Sequence, residues 1–284
     1  LTSGRVSDFA FVPGHWQAHY VAMASGNLWK TVNNGVTWEA VFDNEGSYAI
    51  GVVEIDPRNA NVVWVGTGEN NSQRSVGFGD GVYKSLDGGK SWRNMGLKDS
   101  GHISMIRIHP DDSDTVWVAA QGPLWNSGGD RGLYRTTDGG ESWEKLLDID
   151  ADTGVNEFVV DPADPDVIVA SSYQRRRHVW TLINGGPGGG VHKTTDGGKT
   201  WREISQGIPG GDLGRIGLAM APSKPSLLYA IIEADDEGKG VYRSTDFGES
   251  WEKRSDHMTT SPQYYNELVV DPNDADVVYS LDTF

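Results

Sequence analysis

Residues 136–143 read TTDGGESW, and this eight-residue stretch recurs along the chain with few changes. The other copies are TVNNGVTW (31–38), SLDGGKSW (85–92), TTDGGKTW (194–201) and STDFGESW (244–251). The shared pattern is Ser/Thr-x-Asp-x-Gly-x-x-Trp, with Asn33 in place of the Asp in the first copy. Successive motif tryptophans lie 54, 51, 58 and 50 residues apart. A regular spacing of this kind indicates that one structural unit is repeated along the chain.

A second pattern lies between the copies, where apolar runs such as VVEIDP and LVVDP end in proline. The positions four and two before each proline are apolar, and this period of two indicates a β-strand. The prolines are Pro13, Pro57, Pro110, Pro162, Pro222 and Pro272. The residue seven positions after each proline is Tyr20, Trp64, Trp117, Val169, Tyr229 or Tyr279, on a second strand. Each repeat therefore predicts four strands, A to D, with the motif between C and D.

Four antiparallel strands repeated about every 50 residues predict an all-β fold, a β-propeller of four-stranded blades. We expect one propeller domain over residues 1–284, with five full blades and the first half of a sixth. The predicted blade bounds are about 5–44, 48–98, 102–148, 155–205 and 212–256, with the partial blade at 264–284. Because the sixth repeat lacks strands C and D, we expect the rest of the propeller, or another chain, at the sixth-blade edge.

The motif resembles the Asp-box, also called the bacterial neuraminidase (BNR) repeat. The stretches VWVGTGE (63–69), GDGVYKSLDGGKSW (79–92) and INGGPGGGVHKTTDGGKTW (183–201) resemble bacterial sortilin-like (VPS10-type) propellers. Such proteins are often described as "glycosyl hydrolase, BNR repeat". The resemblance covers essentially the whole chain. More distantly, it extends to xyloglucanases, sialidases and photosystem II assembly-factor propellers, which place different functional sites on the same repeat.

The Asp-box residues themselves predict a structural role. An Asp in a turn accepts hydrogen bonds from nearby backbone N–H groups, and the Gly at the fifth position favours positive φ. One carboxylate per blade cannot converge on one substrate, which argues against catalysis by this set. The structural residues are Asp87, Asp138, Asp196 and Asp246, with Trp38, Trp92, Trp143, Trp201 and Trp251 packed between strands.

Composition narrows the class of protein. The 284 residues carry a net charge of −16 and no Cys. Such an acidic surface disfavours binding to nucleic acids, and no apolar run predicts membrane insertion. The lack of Cys excludes disulfides, thiolate catalysis and Cys-based zinc sites. We expect an extracellular or periplasmic bacterial protein, although the chain begins at Leu1 and contains no signal peptide.

Ligand binding is expected on the top face, which carries the B–C and D–A loops. These loops vary most in length: 69–80, 122–131, 173–190, 233–239 and 255–267. The loop 173–190 contains a basic cluster beside a tryptophan, and such a cluster could bind a carboxylate, a sulfate or a sugar ring. Alternatively, the arginines pair with acids such as Asp152, Asp212 or Asp235. The candidate binding residues are Arg175, Arg176, Arg177, His178, Trp180, Trp125, Arg74 and Glu69.

Catalytic and metal-binding residues are less clearly indicated. Glycosidases need two carboxyl groups at a defined separation, and the top ends of the A strands carry Asp8, Glu157 and Glu267. The sequence matches neither the arginine triad of sialidases nor the context of the catalytic Asp of xyloglucanases. We predict no cofactor or metal, with one alternative: Asp148, Asp150 and Asp152 have the spacing of a calcium loop, or form an ordinary acidic turn.

Three functions remain open from the sequence. The first is a binding module for a peptide, a glycan or a partner protein, which we favour because no catalytic set is identifiable. The second is a carbohydrate-active glycoside hydrolase that uses top-face carboxylates. The third is an assembly or structural subunit of a larger complex. The fold alone does not decide among them, since propellers host unrelated activities.

Overall fold

A computed structural model describes residues 5–282. Within this range the chain folds into β-strands and turns, without a helix. There is accordingly no segment in it with the length and hydropathy of a membrane-spanning helix. The chain divides into two compact units. The first extends to Lys145, except for Asn71–Gln73, which belong with the second unit.

The first half of the chain forms three four-stranded sheets, each antiparallel and in sequence order. The first sheet contains β1 (Val6–Val12), β2 (His15–Met23), β3 (Asn27–Thr31) and β4 (Glu39–Ala40). The second contains β5 (Ile50–Ile55), β6 (Val63–Thr67), β7 (Val82–Ser85) and β8 (Arg93–Asn94). The third contains β9 (Ile103–His109), β10 (Asp112–Ala120), β11 (Gly132–Thr136) and β12 (Glu144–Leu147).

The second half repeats the plan. The fourth sheet contains β13 (Thr153–Val160), β14 (Ile168–Arg177), β16 (Gly190–Thr194) and β17 (Arg202–Glu203), and β15 (Leu182–Asn184) pairs with the far end of β14. The fifth contains β18 (Ile216–Met220), β19 (Leu228–Ile232), β20 (Gly240–Ser244) and β21 (Glu252–Ser255). A two-stranded sheet follows, with β22 (Glu267–Val270) and β23 (Val278–Leu281). The predicted all-β class and four-stranded antiparallel sheets are confirmed, while the number of blades and the closure of the propeller remain predictions.

Consecutive sheets within a unit pack face to face. In the first unit β5 lies against β1 and β9 against β5, and in the second unit β18 lies against β13 and β22 against β18. The residue seven after one repeat proline shares a buried cluster with the residue four before the next. The pairs are Tyr20 and Val53, Trp64 and Ile106, Val169 and Leu218, and Tyr229 and Leu268. The two positions that repeat in the sequence therefore meet in the core between sheets.

The Asp-box turn is held by hydrogen bonds from its own side chains. In the third copy, Asp138 Oδ1 accepts from the Ser142 backbone N–H at 3.0 Å and from the Thr136 hydroxyl at 2.7 Å. The Thr136 hydroxyl oxygen in turn accepts from the backbone N–H of Gly140 at 2.9 Å. The Ser142 hydroxyl, which donates to Asp138 Oδ2, lowers the pKa of Asp138 most, and the Ser142 backbone N–H and the Thr136 hydroxyl lower it further because they favour the ionised carboxylate. Asp138 thus binds groups of its own turn, as expected for a structural residue.

The first copy shows that Asn can replace the Asp. Asn33 Oδ1 accepts from the Thr37 backbone N–H at 2.9 Å, as the carboxylate does elsewhere. The conformation of the fourth motif position was not predicted. This position is also left-handed, with φ of 71° at Gly139 and 53° at Phe247. A phenylalanine at positive φ is strained, since its Cβ crowds the backbone there.

The motif tryptophans connect consecutive repeats. The indole Nε1 donates to a backbone carbonyl at 2.7 Å or 2.8 Å, from Trp92 to Val41, Trp143 to Met95 and Trp201 to Leu146. Each acceptor lies three residues after the previous motif tryptophan. Trp38 is 41% exposed, while Trp251 is buried without a hydrogen-bond partner for its Nε1 within residues 5–282.

Replacing Trp143 with Phe tests the indole hydrogen bond, because Phe keeps the ring but leaves the Met95 carbonyl without its donor. We expect a loss of about 1–2 kcal/mol in the free energy of unfolding. Denaturation followed by circular dichroism measures it. Trp16→Phe is the control, since Trp16 is 64% exposed. Equal stabilities of the two variants would show that the bond contributes nothing.

Candidate functional site

The fourth sheet extends into a β-hairpin over residues 173–184. There β14 pairs with β15, with Arg175 opposite Asn184, Arg176 opposite Ile183 and Arg177 opposite Leu182. The chain reverses through two backbone hydrogen bonds, from His178 N to Thr181 O at 2.9 Å and from Thr181 N to His178 O at 3.3 Å. The segment predicted as a top-face loop, 173–190, is thus partly a regular β-ribbon.

The inner face of the hairpin carries two of the predicted ligand-binding arginines. Arg175 is 0% exposed, and its Nη1 donates to the Asn71 carbonyl at 2.8 Å. Arg177 is 8% exposed, and its Nε donates to the Ser72 carbonyl at 2.9 Å. Both guanidinium groups therefore anchor the hairpin to Asn71–Gln73. This corrects the expectation that they lie on the surface as an anion-binding cluster.

The outer face of the hairpin is more open. Arg176 forms an ion pair with Asp152 at 2.8 Å, one of the pairings considered from the sequence. The rings of His178 and Trp180 stack with centroids 5.3 Å apart and an interplanar angle of 8°. Trp180 is 80% exposed. Of the predicted cluster, these three side chains are the ones placed toward solvent.

The predicted calcium loop is an ordinary acidic turn. Asp150 Oδ1 accepts the backbone N–H of Asp152 at 2.7 Å, and Asp152 is paired with Arg176. Across residues 5–282, no three His, Cys, Asp or Glu side chains converge so as to hold a metal ion. In this structure the side chains of Asp148, Asp150 and Asp152 do not form such a group.

The remaining binding candidates lie in the first unit. Glu69 is only 2% exposed and accepts a hydrogen bond from Arg5 Nε at 2.9 Å, so it is a buried structural acid. Trp125 is 40% exposed and Arg74 is exposed. These two side chains remain available to a ligand.

Two of the three candidate catalytic acids accept hydrogen bonds from the backbone instead. Asp8 Oδ2 accepts the Val53 N–H at 2.9 Å, and Glu157 Oε2 accepts the Leu218 N–H at 2.6 Å. Each acid lies five residues before a repeat proline, and each amide lies four before the next. The carboxylates thereby satisfy an amide on the free edge of the next sheet's first strand. This corrects the expectation that Asp8 and Glu157 face a substrate.

Glu267 lies in a different environment, around the buried side chain of Arg215. Arg215 is 0% exposed, and its Nη2 contacts Glu267 Oε1 at 3.1 Å. Arg215 Nη1 donates to the Tyr264 carbonyl at 3.0 Å. The backbone N–H of Arg215 donates to Glu233 Oε2 at 2.9 Å, and Asn184 Nδ2 donates to Glu233 Oε1 at 2.7 Å. Asn184, at the base of the hairpin, is therefore bonded to Glu233, and Arg215 lies between Glu233 and Glu267.

Burial raises the pKa of both Glu233 and Glu267, and the charge of Arg215 only partly opposes this. Gly214 permits the arrangement, since a Cβ there would lie 2.3 Å from Glu233 Oε2. Neither Glu233 nor Arg215 was predicted from the sequence. A signal existed, because Glu233 directly follows β19, in which every residue is buried.

Two sequence-family models match the chain. The Sortilin-Vps10 model, described as "Sortilin, neurotensin receptor 3", matches residues 26–184, more than half of the chain. The BNR/Asp-box repeat model matches residues 242–253. These matches agree with the resemblance seen in the repeats.

Similar proteins include xyloglucanases. Xyloglucanase Xgh74A of Acetivibrio thermocellus is 26% identical over 222 residues, which is 65% of this chain and 23% of that protein. A xyloglucanase of Paenibacillus sp is 29% identical over 211 residues, which is 65% of this chain and 19% of that protein. The matched region thus spans about a quarter of the length of these relatives or less.

Solved structures agree on the fold. An ancestral GH74 enzyme has a TM-score of 0.69 at 22% identity, covering 95% of this chain and 33% of that one. The GH74 xyloglucanase from Xanthomonas campestris has a TM-score of 0.52 at 18% identity, covering 97% of this chain and 50% of that one. At these identities the similarity concerns the fold.

Asp8 predicts a pH dependence of stability. Burial raises its pKa from 3.8 to about 7, so the folded protein keeps a proton that the unfolded chain releases. Stability is then greatest below pH 4 and falls as the pH rises through 7. We expect Asp8→Asn to reduce this fall by about 2 kcal/mol in urea titrations from pH 4 to pH 8. The control is Asp111→Asn, at an exposed aspartate. A decline identical to the wild type would assign the effect to other groups.

Proposed function

The chain belongs to the Sortilin-Vps10 family. For this member of the family, we propose that it is part of a carbohydrate-active β-propeller of the glycoside hydrolase type. The observation that carries the proposal is its similarity to xyloglucanases. A third relative, from Neosartorya fischeri, is a probable oligoxyloglucan-reducing end-specific xyloglucanase, 29% identical over 212 residues. This similarity favours hydrolysis over the purely binding role first expected.

The proposed substrate is a β-glucan such as xyloglucan. The matched region covers 23% or less of the two xyloglucanases compared first, so the proposal includes a substrate cleft to which further sheets contribute. An extracellular or periplasmic location follows from such a substrate, since a polysaccharide does not cross a membrane unaided. The acidic surface, with a net charge of −16, is compatible with a neutral polymer.

The acids around Arg215 are the proposed catalytic groups. Hydrolysis of a glycosidic bond needs one carboxylic acid that protonates the leaving oxygen and one carboxylate that activates water or attacks the anomeric carbon. Glu267 is assigned as the acid, because its side chain is 29% exposed and burial raises its pKa. Glu233 is assigned as the carboxylate, because the Arg215 backbone N–H and Asn184 Nδ2 donate to its two oxygens, and these bonds oppose the rise in pKa that burial causes.

A further part of the proposal concerns the last sheet, which we expect another Asp-box sheet to cover. Tyr20 and Tyr229 use their hydroxyls to reach carbonyls of the following repeat, at Gly88 and Ala275. Tyr279 is the equivalent residue of the two-stranded sheet, and it is 54% exposed. The covering sheet belongs to the same protein or to another chain.

A photo-crosslinking amino acid in place of Tyr279 tests that contact in the native host. We expect a crosslink to a segment with the Ser/Thr-x-Asp-x-Gly-x-x-Trp pattern, identified by mass spectrometry. Position 252 is the control, because Glu252 is exposed on β21. Equal crosslinking from both positions to unrelated proteins would refute the contact.

Glu267→Gln tests the catalytic assignment, because Gln cannot donate the proton. We expect at least about a hundredfold loss in the rate of reducing-sugar release from xyloglucan by the full-length protein. Glu252→Gln should retain wild-type activity, since its side chain is 73% exposed. A fully active Glu267→Gln variant would remove Glu267 from the mechanism, and an inactive wild type would contradict the proposed function.

A further inference from the structure

The tip of the hairpin presents the most exposed aromatic side chain in the described part of the chain. Trp180 is 80% exposed and the preceding Val179 is 74% exposed. An indole buries a large apolar area when covered, so its exposure on an ordered turn is unfavourable for the isolated protein. The arrangement points to a surface that is covered when a ligand binds.

The tip is held in place before any ligand arrives. Two backbone hydrogen bonds close the turn at His178 and Thr181. Beneath it, the buried guanidinium groups of Arg175 and Arg177 hold Asn71 and Ser72. Because the hairpin tip is already ordered, the binding of a ligand to it costs little further conformational entropy.

The stack with His178 leaves a flat surface for a ligand. The two rings are nearly parallel at 8°, so the imidazole covers one face of the indole and fixes its orientation. The opposite face is open to solvent, which accounts for the high exposure of Trp180. A flat π surface of this size matches the apolar C–H face of a pyranose ring.

Polar groups lie on the same face of the ribbon. His178 follows the end of β14, and its two backbone hydrogen bonds with Thr181 continue the pairing of the strands. Arg176 precedes it by two residues and Ile183 lies opposite Arg176, so all three side chains project to one side. Arg176 is ion-paired with Asp152 at 2.8 Å, and both are partly exposed. Charged groups of this kind form strong hydrogen bonds to hydroxyls, which a sugar carries around the edge of its ring.

We propose that the hairpin tip is a glycan-binding platform, on which Trp180 stacks against a hexose ring of a β-glucan while Arg176 and Asp152 bind its hydroxyls. The inference rests on the proposed function, because it takes the β-glucan class from there. It adds a subsite separate from the acids around Arg215. Its ligand is the polymer chain itself, so the platform contributes to affinity and leaves bond cleavage to those acids.

Native affinity electrophoresis through gels containing xyloglucan tests the platform in the full-length protein. We expect Trp180→Ala to weaken retardation by about tenfold in apparent Kd. Trp180→Phe should retain part of the binding, because Phe preserves a smaller stacking face. The matched control is Trp16→Ala, which removes another exposed tryptophan, 64% exposed. Circular dichroism confirms that each variant is folded.

The two proposals fail in different ways. Unchanged retardation of Trp180→Ala, with the wild type still hydrolysing xyloglucan, overturns the platform alone. Weaker retardation of Trp180→Ala, with the retardation of Trp16→Ala equal to the wild type, supports glycan binding at the hairpin tip. A wild-type protein that neither binds nor hydrolyses xyloglucan overturns both.

Discussion

One hydrogen bond recurs between consecutive repeats, from the indole of Trp92, Trp143 or Trp201 to a carbonyl of the preceding repeat. The outermost strands are very short: β4, β8 and β17 contain two residues each. A strand of two residues gains little stability from its backbone hydrogen bonds to the neighbouring strand. At Val41 and Met95, the next repeat holds the chain just beyond the short strand, through Trp92 and Trp143. The tryptophan thus fixes the outer edge of its neighbour as well as its own turn.

The packing between sheets could be predicted from the sequence because it uses the same positions in every repeat. An apolar residue seven after one proline meets an apolar residue four before the next, as Trp64 and Ile106 do. The hairpin could not be predicted in the same way. Arg175 and Asn71 are 104 residues apart, and nothing local to either residue indicates the contact. Charge pattern alone suggested a surface cluster, whereas two of its arginines satisfy backbone carbonyls in the interior.

The environments of the three candidate catalytic acids could not be predicted from the sequence either. Asp8, Glu157 and Glu267 occupy one repeat position, so the sequence gives no reason to treat them differently. The structure separates them by what they face. Asp8 and Glu157 meet the amide of a following strand, whereas Glu267 meets the side chain of Arg215. Repeat position predicts where a side chain lies on its sheet, and its neighbours determine the chemistry it can perform.

The contacts between repeats are directional. A tryptophan such as Trp143 reaches back to Met95, and a tyrosine such as Tyr20 reaches forward to Gly88. Each repeat therefore has two different faces, and the forward face of one complements the backward face of another. A gene that encodes such a unit can be lengthened by tandem duplication, because the new copy meets its neighbours through contacts that already exist. The side chains in the loops take no part in these contacts between repeats, so they are free to diverge in each copy.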